Sequence, residues 1–180
     1  MFEEIILAGF GGQGVMSMGQ LLAYAGMLEN RHVAWIPSYG PEMRGGTANC
    51  SVTISSEQIS SPIITEPGTA IVLNRPSLER FASTVKPGGT LLINSSLIEP
   101  GYKREGVRCI DIPANEIAME MGNTRIANMI LLGVYIGLSG AVSIDSVIES
   151  LKKVLPEHRH KLIPLNRQAL EKGAELASKY

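Results

Sequence analysis

The sequence predicts an α/β protein, a three-layer α/β/α sandwich built on a mainly parallel or mixed sheet. Three observations carry that reading. The chain opens with the apolar run Glu4-Ile5-Ile6-Leu7-Ala8, which ends in glycines and has the pattern of a strand buried on both faces. Strand-length apolar runs then alternate with segments of helical spacing, and the final third, from Thr124 onward, is helical throughout.

In chain order, the first helix runs from Val15 to about Glu29, where Val15, Met18, Leu22, Ala25 and Leu28 recur at helical spacing and Gly19, Ala23 and Gly26 form a small-residue stripe suited to close packing. His32–Ile36 returns as a second strand, which Pro37 is expected to stop, leaving Ser38–Cys50 as a loop. Cys50–Ser55 alternates as a strand, an antiparallel or edge element paired across a turn with a short Ile59–Ile64 segment. Thr69–Leu73 is another buried strand, and Pro76 suits the first helical position of a helix over Ser77–Ser83. After Gly88-Gly89 come strands at Thr90–Ile93 and Val107–Ile112, then a helix opened by Pro113 and reaching about Met121. The closing helices are Thr124–Leu138, Ser143–Leu155 with Ser143 as its N-cap, and Arg159–Lys179. No linker, repeat or low-complexity tract divides the 180 residues, so they form one domain, 1–180.

Composition narrows the function. Charged residues are 18% of the chain and the formal net charge is -1, where roughly 25% charged is usual. So lightly charged a surface associates readily, with other subunits or with copies of itself. No basic stripe exists to neutralise a run of phosphates, which argues against nucleic acid. Cys50 and Cys109 stand far apart, so neither an iron–sulfur cluster nor a zinc site is expected from this chain alone. The start, with Glu3 and Glu4 before a short apolar run, lacks signal-peptide features and points to the cytoplasm. The run Ile126–Leu138 is too short to span a bilayer and carries Asn128, which makes it a buried helix rather than a membrane segment.

Two motifs concentrate the chemistry. Gly9, Gly11 and Gly14 satisfy G-x-G-x-x-G at the end of the first strand, a Rossmann-like start that lets backbone approach a phosphate and aims helix N–H groups at it; Gly12 and Gln13 complete the turn. The same glycines also serve a tight strand-to-helix turn with no ligand. A dinucleotide site needs an acid at the end of the second strand, and Trp35-Ile36-Pro37-Ser38-Tyr39 supplies none. In the second motif, Glu42 and Arg44 either pair with each other in solvent or present Arg44 to an external carboxylate or phosphate. Gly45 and Gly46 free backbone N–H groups beside them, and Tyr39, Thr47 and Asn49 flank the charges as contact candidates. Asn74 reads as turn chemistry and Asn128 as a hydrogen-bonded core amide, with ligand contact the alternative for each. Arg125, in the first turn of its helix, opposes the helix dipole; it reads by default as a surface arginine, with a carboxylate from a loop or from outside as the alternative partner. His158-Arg159-His160-Lys161 reads as a solvated helix start rather than a metal site.

Gly9-Phe10-Gly11-Gly12-Gln13-Gly14-Val15, the stretch Pro37–Cys50, Asn74-Arg75-Pro76-Ser77-Leu78 and Gly122-Asn123-Thr124-Arg125-Ile126-Ala127-Asn128-Met129 together resemble the gamma subunit of 2-oxoacid:ferredoxin oxidoreductases. The wording of Ser38–Cys50 looks more like the 2-oxoglutarate and branched-chain enzymes than the pyruvate enzymes, and 2-oxoglutarate is the favoured substrate. The resemblance implies a complex that oxidatively decarboxylates a 2-oxoacid to acyl-CoA and CO2 and passes electrons through [4Fe-4S] clusters to ferredoxin. It implies thiamine diphosphate and Mg2+ held by sister subunits, since no Gly-Asp-Gly occurs here, coenzyme A as co-substrate, and alpha, beta and ferredoxin-like delta subunits as partners. In that setting the two motifs dock beside the thiamine site, with Arg44 facing an anion and Glu42 orienting it, and no catalytic residue resides on this chain alone. The competing readings are a free-standing nucleotide- or phosphate-binding module and a purely structural adaptor.

Overall fold

In a computed structural model of the chain, the structure describes residues 1–38 and 47–180, together with the backbone of Tyr39. The central sheet has six strands in the order β2-β3-β1-β4-β5-β6. β1 (Phe2–Phe10) extends further at both ends than its apolar run. β4 (Thr69–Val72), β5 (Thr90–Asn94) and β6 (Arg108–Ile112) follow it in parallel on one side. β3 (Thr47–Ser55) lies antiparallel on its other side, and β2 (His32–Tyr39) is antiparallel to β3 at the sheet edge. The sheet is therefore mixed, and an antiparallel strand separates β2 from β1, so the first strand–helix–strand unit does not pair its own strands.

This arrangement corrects several expectations. Pro37 does not end β2: an edge strand has one row of backbone groups outside the ladder, where a missing N–H costs nothing, and the strand runs on to Tyr39. Ser38, Tyr39 and Thr47–Cys50 are consequently strand rather than loop, with Ser38 opposite Asn49 and Tyr39 opposite Ala48. β3 is antiparallel as expected but sits inside the sheet, not at its edge. Ile59–Ile64 forms no strand; it crosses as irregular chain, and Ile64 packs against the core. Glu42, Arg44, Gly45 and Gly46 lie outside the described residues.

Helices cover the sheet unequally. One face takes α1 (Val15–Leu28), α3 (Ala114–Glu120) and α4 (Ala127–Ser139), with α5 (Ile144–Val154) packed chiefly on α1 and α6 (Ile163–Ala177) on α4. Ile5, Leu7, Ile71 and Leu92 project into that larger core, while Ile6, Ala8, Val72 and Leu91 project from the opposite face into a smaller one under α2 (Arg75–Phe81). This is why the parallel strands read as continuous apolar runs. Fully burying each of the Ile, Leu and Val side chains is worth about 1.5–3 kcal/mol.

The predicted small-residue stripe of α1 does its work: a Cβ on Gly26 would meet Val33 and Ile54, and one on Gly19 would meet Trp35 and Cys50. A second close crossing, between α4 and α6, is built from Gly133, Gly137 and Gly173, where a Cβ on either Gly133 or Gly173 would collide with the facing backbone. Helix starts shift slightly from expectation. Arg75 rather than Ser77 opens α2, Thr124–Ile126 forms a 3-10 turn before α4, and Glu157–Leu162 forms another before α6. No helix among the described residues is long and apolar enough to cross a membrane.

Candidate functional site

The carboxyl ends of β1, β4 and β5 meet at one pole of the sheet. β1 feeds α1 on one face and β4 feeds α2 on the other, so the strand connections diverge there and leave a crevice. The turn after β1 closes on itself. Gln13 N–H donates to the Phe10 carbonyl at 3.2 Å, Gln13 Oε1 accepts from Phe10 N–H at 2.6 Å, and Gln13 Nε2 reaches the Leu73 carbonyl at the end of β4 at 3.5 Å. Gln13 thus ties the glycine turn to the neighbouring strand. Gly9 leaves room for that amide, because a Cβ there would lie 2.6 Å from Gln13 Oε1 and displace it. Gly12 and Gly14 are required by conformation, at φ +92 and φ +79.

Gly14 is also the N-cap of α1, with no side-chain cap and no acid in the first turn, so the first N–H groups of that helix have no intrahelical acceptor. Asn128 comes up against it from α4: its Nδ2 occupies the space a Gly14 side chain would need, and its Oδ1 accepts from Met129 N–H at 3.0 Å. Asn128 is half-buried at the rim rather than a core amide. Beside it, Arg125 is exposed in the 3-10 turn before α4, its backbone N–H held by Asn123 Oδ1 at 3.0 Å, and no carboxylate among the described residues pairs with its guanidinium.

Gly12, Gln13, Gly14, Arg125 and Asn128 all line one cleft of about 490 Å³. Its floor holds two residues the sequence reading missed. Asn94, 1% exposed at the end of β5, donates from Nδ2 to Oδ1 of Asn115 on α3 at 2.8 Å. A strand ending in asparagine was the available signal for Asn94, as it was for Asn74. Among the described residues the cleft lining therefore combines four amides with one cation and no carboxylate. Such a set receives an anionic or strongly hydrogen-bonding group.

The other predicted residues fall elsewhere. Asn74 is not part of the cleft: buried at 2%, it caps α2 by accepting from Ser77 N–H at 2.9 Å, the turn chemistry expected of it. Thr47 and Asn49 are strand residues of β3, paired with Phe10 and Ala8 of β1. That register sets the start of β3 and the end of β2, the described flanks of the second motif, beside the glycine turn at one pole of the sheet. Cys50 is fully buried, its Sγ 3.6 Å from the Val15 carbonyl, and burial pushes its thiol up to about 11, unsuited to ligation as a thiolate. His160 turns its Nε2 to the Leu155 carbonyl at 2.9 Å, within the chain's own turn.

Residues 4–176 match the family model described as pyruvate ferredoxin/flavodoxin oxidoreductase. The chain belongs to that family. Among its relatives, the ketoisovalerate oxidoreductase subunit VorA of Methanothermobacter marburgensis is 43% identical over 179 residues, a match covering 98% of this chain and 37% of VorA. The chain thus spans a little over a third of the length of that curated relative. In shape it is similar to the gamma subunit of the keto/oxoacid ferredoxin oxidoreductase of Geobacter sulfurreducens, with TM-score 0.85, 26% identity, and 99% and 98% of the two chains covered. It is also similar to the 2-oxoglutarate:ferredoxin oxidoreductase of Magnetococcus marinus, solved with 2-oxoglutarate, coenzyme A and succinyl-CoA bound, with TM-score 0.90 and 27% identity over 99% of this chain and 31% of that one. The oxidoreductase family thus contains this fold both as a separate subunit and as one part of a longer chain.

Proposed function

We propose that this chain is the gamma-type subunit of a 2-oxoacid:ferredoxin oxidoreductase, and that its amide-lined cleft serves the substrate and coenzyme A side of the reaction. The observation that carries the reading is that the glycine turn and the flanks of the second motif lie at the pole where Arg125, Asn128 and the uncapped start of α1 surround a cleft whose described lining holds no carboxylate. In the assembled enzyme, thiamine diphosphate with Mg2+ on a sister subunit supplies the carbanion chemistry, and sister [4Fe-4S] clusters supply the route to ferredoxin. This chain's residues bind and orient: Arg125 offers a fixed positive charge to a phosphate or carboxylate, Asn128 and the Asn94–Asn115 pair offer amide donors and acceptors, and Gln13 holds the glycine turn in register with β4. Arg44 and Glu42 belong to the same proposal as the charges of the adjoining segment.

The substrate we propose is a branched-chain 2-oxoacid. A 43% identity with a ketoisovalerate oxidoreductase subunit favours it over the 2-oxoglutarate expected from the motif wording, for which the structural relative is 27% identical. The test is anaerobic affinity purification of the tagged chain from its native host, followed by coenzyme A-dependent reduction of a viologen dye with several 2-oxoacids. Co-eluting larger and cluster-bearing subunits, with highest turnover on a branched-chain 2-oxoacid, are expected. A chain that elutes alone and inactive overturns the assignment, and highest turnover on 2-oxoglutarate overturns the substrate.

A further inference from the structure

The two edges of the sheet are finished differently. β6 carries Arg108 and Asp111, and the segment at Tyr180 folds over it: Arg108 donates to the Tyr180 carbonyl and the Tyr180 hydroxyl donates to the Asp111 carbonyl at 3.4 Å. Charge and a covering segment are the usual protections of a strand edge. Among the described residues β2 has neither. Its eight residues, His32–Tyr39, include no Lys, Arg, Asp or Glu, and neither do the nine of β3 behind it. Pro37 is the one protecting feature among the described residues of this edge.

Toward the carboxyl pole the outer face of these strands is equally bare, whereas at the other end Thr53 and Ser55 are buried. Trp35, Val33, Cys50 and Ile54 turn inward to α1, so by alternation Ile36, Ser38, Asn49 and Ser51 turn the other way, and α2 on that side sits over β4 and β1. Ile36 stands opposite Ser51 and is 39% exposed; Phe10, at the end of β1 on the same face, is 37% exposed. An antiparallel sheet can leave one face to water, but a solvated face carries charge, and this one is made of small hydroxyl, amide and apolar side chains.

We propose that the β2 edge, with the outer face of β2 and β3 toward the carboxyl pole, is the surface on which this unit seats the polypeptide that is continuous with it in its longer relatives, an inference that rests on the function proposed above. The occupant is argued from the relatives. In VorA and in the Magnetococcus enzyme a unit like this one is 37% and 31% of a longer chain, so it is continuous there with other folded polypeptide, whereas in Geobacter it is 98% of a separate subunit. Whether held covalently or recognised by surface, that polypeptide needs a complementary face on this unit. The uncharged face runs to the pole where the cleft opens, which places the cleft at the rim of the contact.

The test is co-expression of the tagged chain with its sister subunits, comparing wild type with Ile36→Glu and, separately, Ser51→Arg. Both side chains point away from the larger core and neither belongs to the smaller one, so the isolated variants should melt like wild type; Met27→Glu, a 60% exposed position at the end of α1, is the control. Each face variant is expected to lower recovery of the complex about tenfold or more, since a buried unpaired charge opposes docking, while Met27→Glu leaves it unchanged. Full recovery with both variants overturns this inference and leaves the functional assignment standing. If wild type recovers no partner, the assignment itself fails and the inference with it. Dimers of the isolated chain that the face variants dissociate while the enzyme complex still forms would assign the face to self-association and overturn the proposal.

Discussion

Gly14 and Asn128 hold the cleft open through one contact, and its removal is the sharpest test available at a single residue. Gly14 combines φ +79 with an Asn128 amide in the space of its missing side chain. Gly14→Ala therefore meets both backbone strain and a collision, and is expected to cost about 2–4 kcal/mol of stability. Adding Asn128→Ala should return the collision share but not the conformational share, so a denaturant-melt cycle will show partial, non-additive recovery; full additivity would mean the two residues do not touch in solution. Cys50 gives a second residue-level expectation. Its burial and its thiol at about 11 leave very little thiolate at neutral pH, whereas Cys109 is half-buried. Alkylation of the native chain followed by mass spectrometry should label Cys109 first and Cys50 only on unfolding, and equal rates would contradict the packing of Cys50 beneath α1.

Helix ends supply the pH response of the fold. Glu29, just past α1, accepts from Ser143 N–H at 2.7 Å at the start of α5. Burial alone would raise its carboxyl, but the Ser143 backbone bond, the Ser146 and Ser143 hydroxyls and the Arg31 charge bring it below its ordinary value. A lowered folded pKa means that the contribution is complete above the unfolded pKa and is lost as pH falls through the folded one. Glu29→Gln should therefore be less stable than wild type by about 0.5–1.5 kcal/mol at neutral pH, and the gap should close in acid, below the ordinary carboxylate range. A gap that stays constant with pH would remove the charge from the account. This bond joins residues 114 positions apart, which no local pattern announces. The elements themselves were far more legible. Helical spacing gave α1 to within a residue at its C-terminal end, and apolar runs located β1, β4 and β5, because those strands are buried on both faces. Sequence reading faltered where tertiary position overrides a local rule. Pro37 continues a strand because β2 is an edge, and Ile64 packs against the thin core from irregular chain. Gln13, Gly14, Arg125 and Asn128 were legible as chemistry; that Asn94 and Asn115 join them depends on β5 and α3 ending at the same pole, which only the assembled sheet decides.

At the scale of the molecule the two proposals separate by place, and that separation yields a test of division of labour. The cleft lies at the carboxyl pole, built from the β1 turn, the end of β5 and the start of α4, while the bare β2 and β3 face lies to its side. Variants of the face should act on assembly; variants of the cleft should act on turnover in complexes that assemble normally. Arg125 is the cleft residue to choose, because it is exposed, pairs with no carboxylate among the described residues, and touches the fold through its backbone N–H. Loss of one charge-assisted contact to a phosphate or carboxylate removes about 1.5–3 kcal/mol of binding, or roughly 10–150-fold in affinity. Arg125→Ala in the purified complex is therefore expected to raise the KM for coenzyme A or for the 2-oxoacid by about tenfold or more, with subunit recovery and thermal unfolding unchanged. Arg125→Lys should restore part of the loss, and higher salt should weaken wild type more than the alanine variant, because the interaction is with an exposed charge. If both Michaelis constants stay at wild-type values in a fully assembled complex, the cleft does not receive the anion, and the chain contributes structure alone to the enzyme.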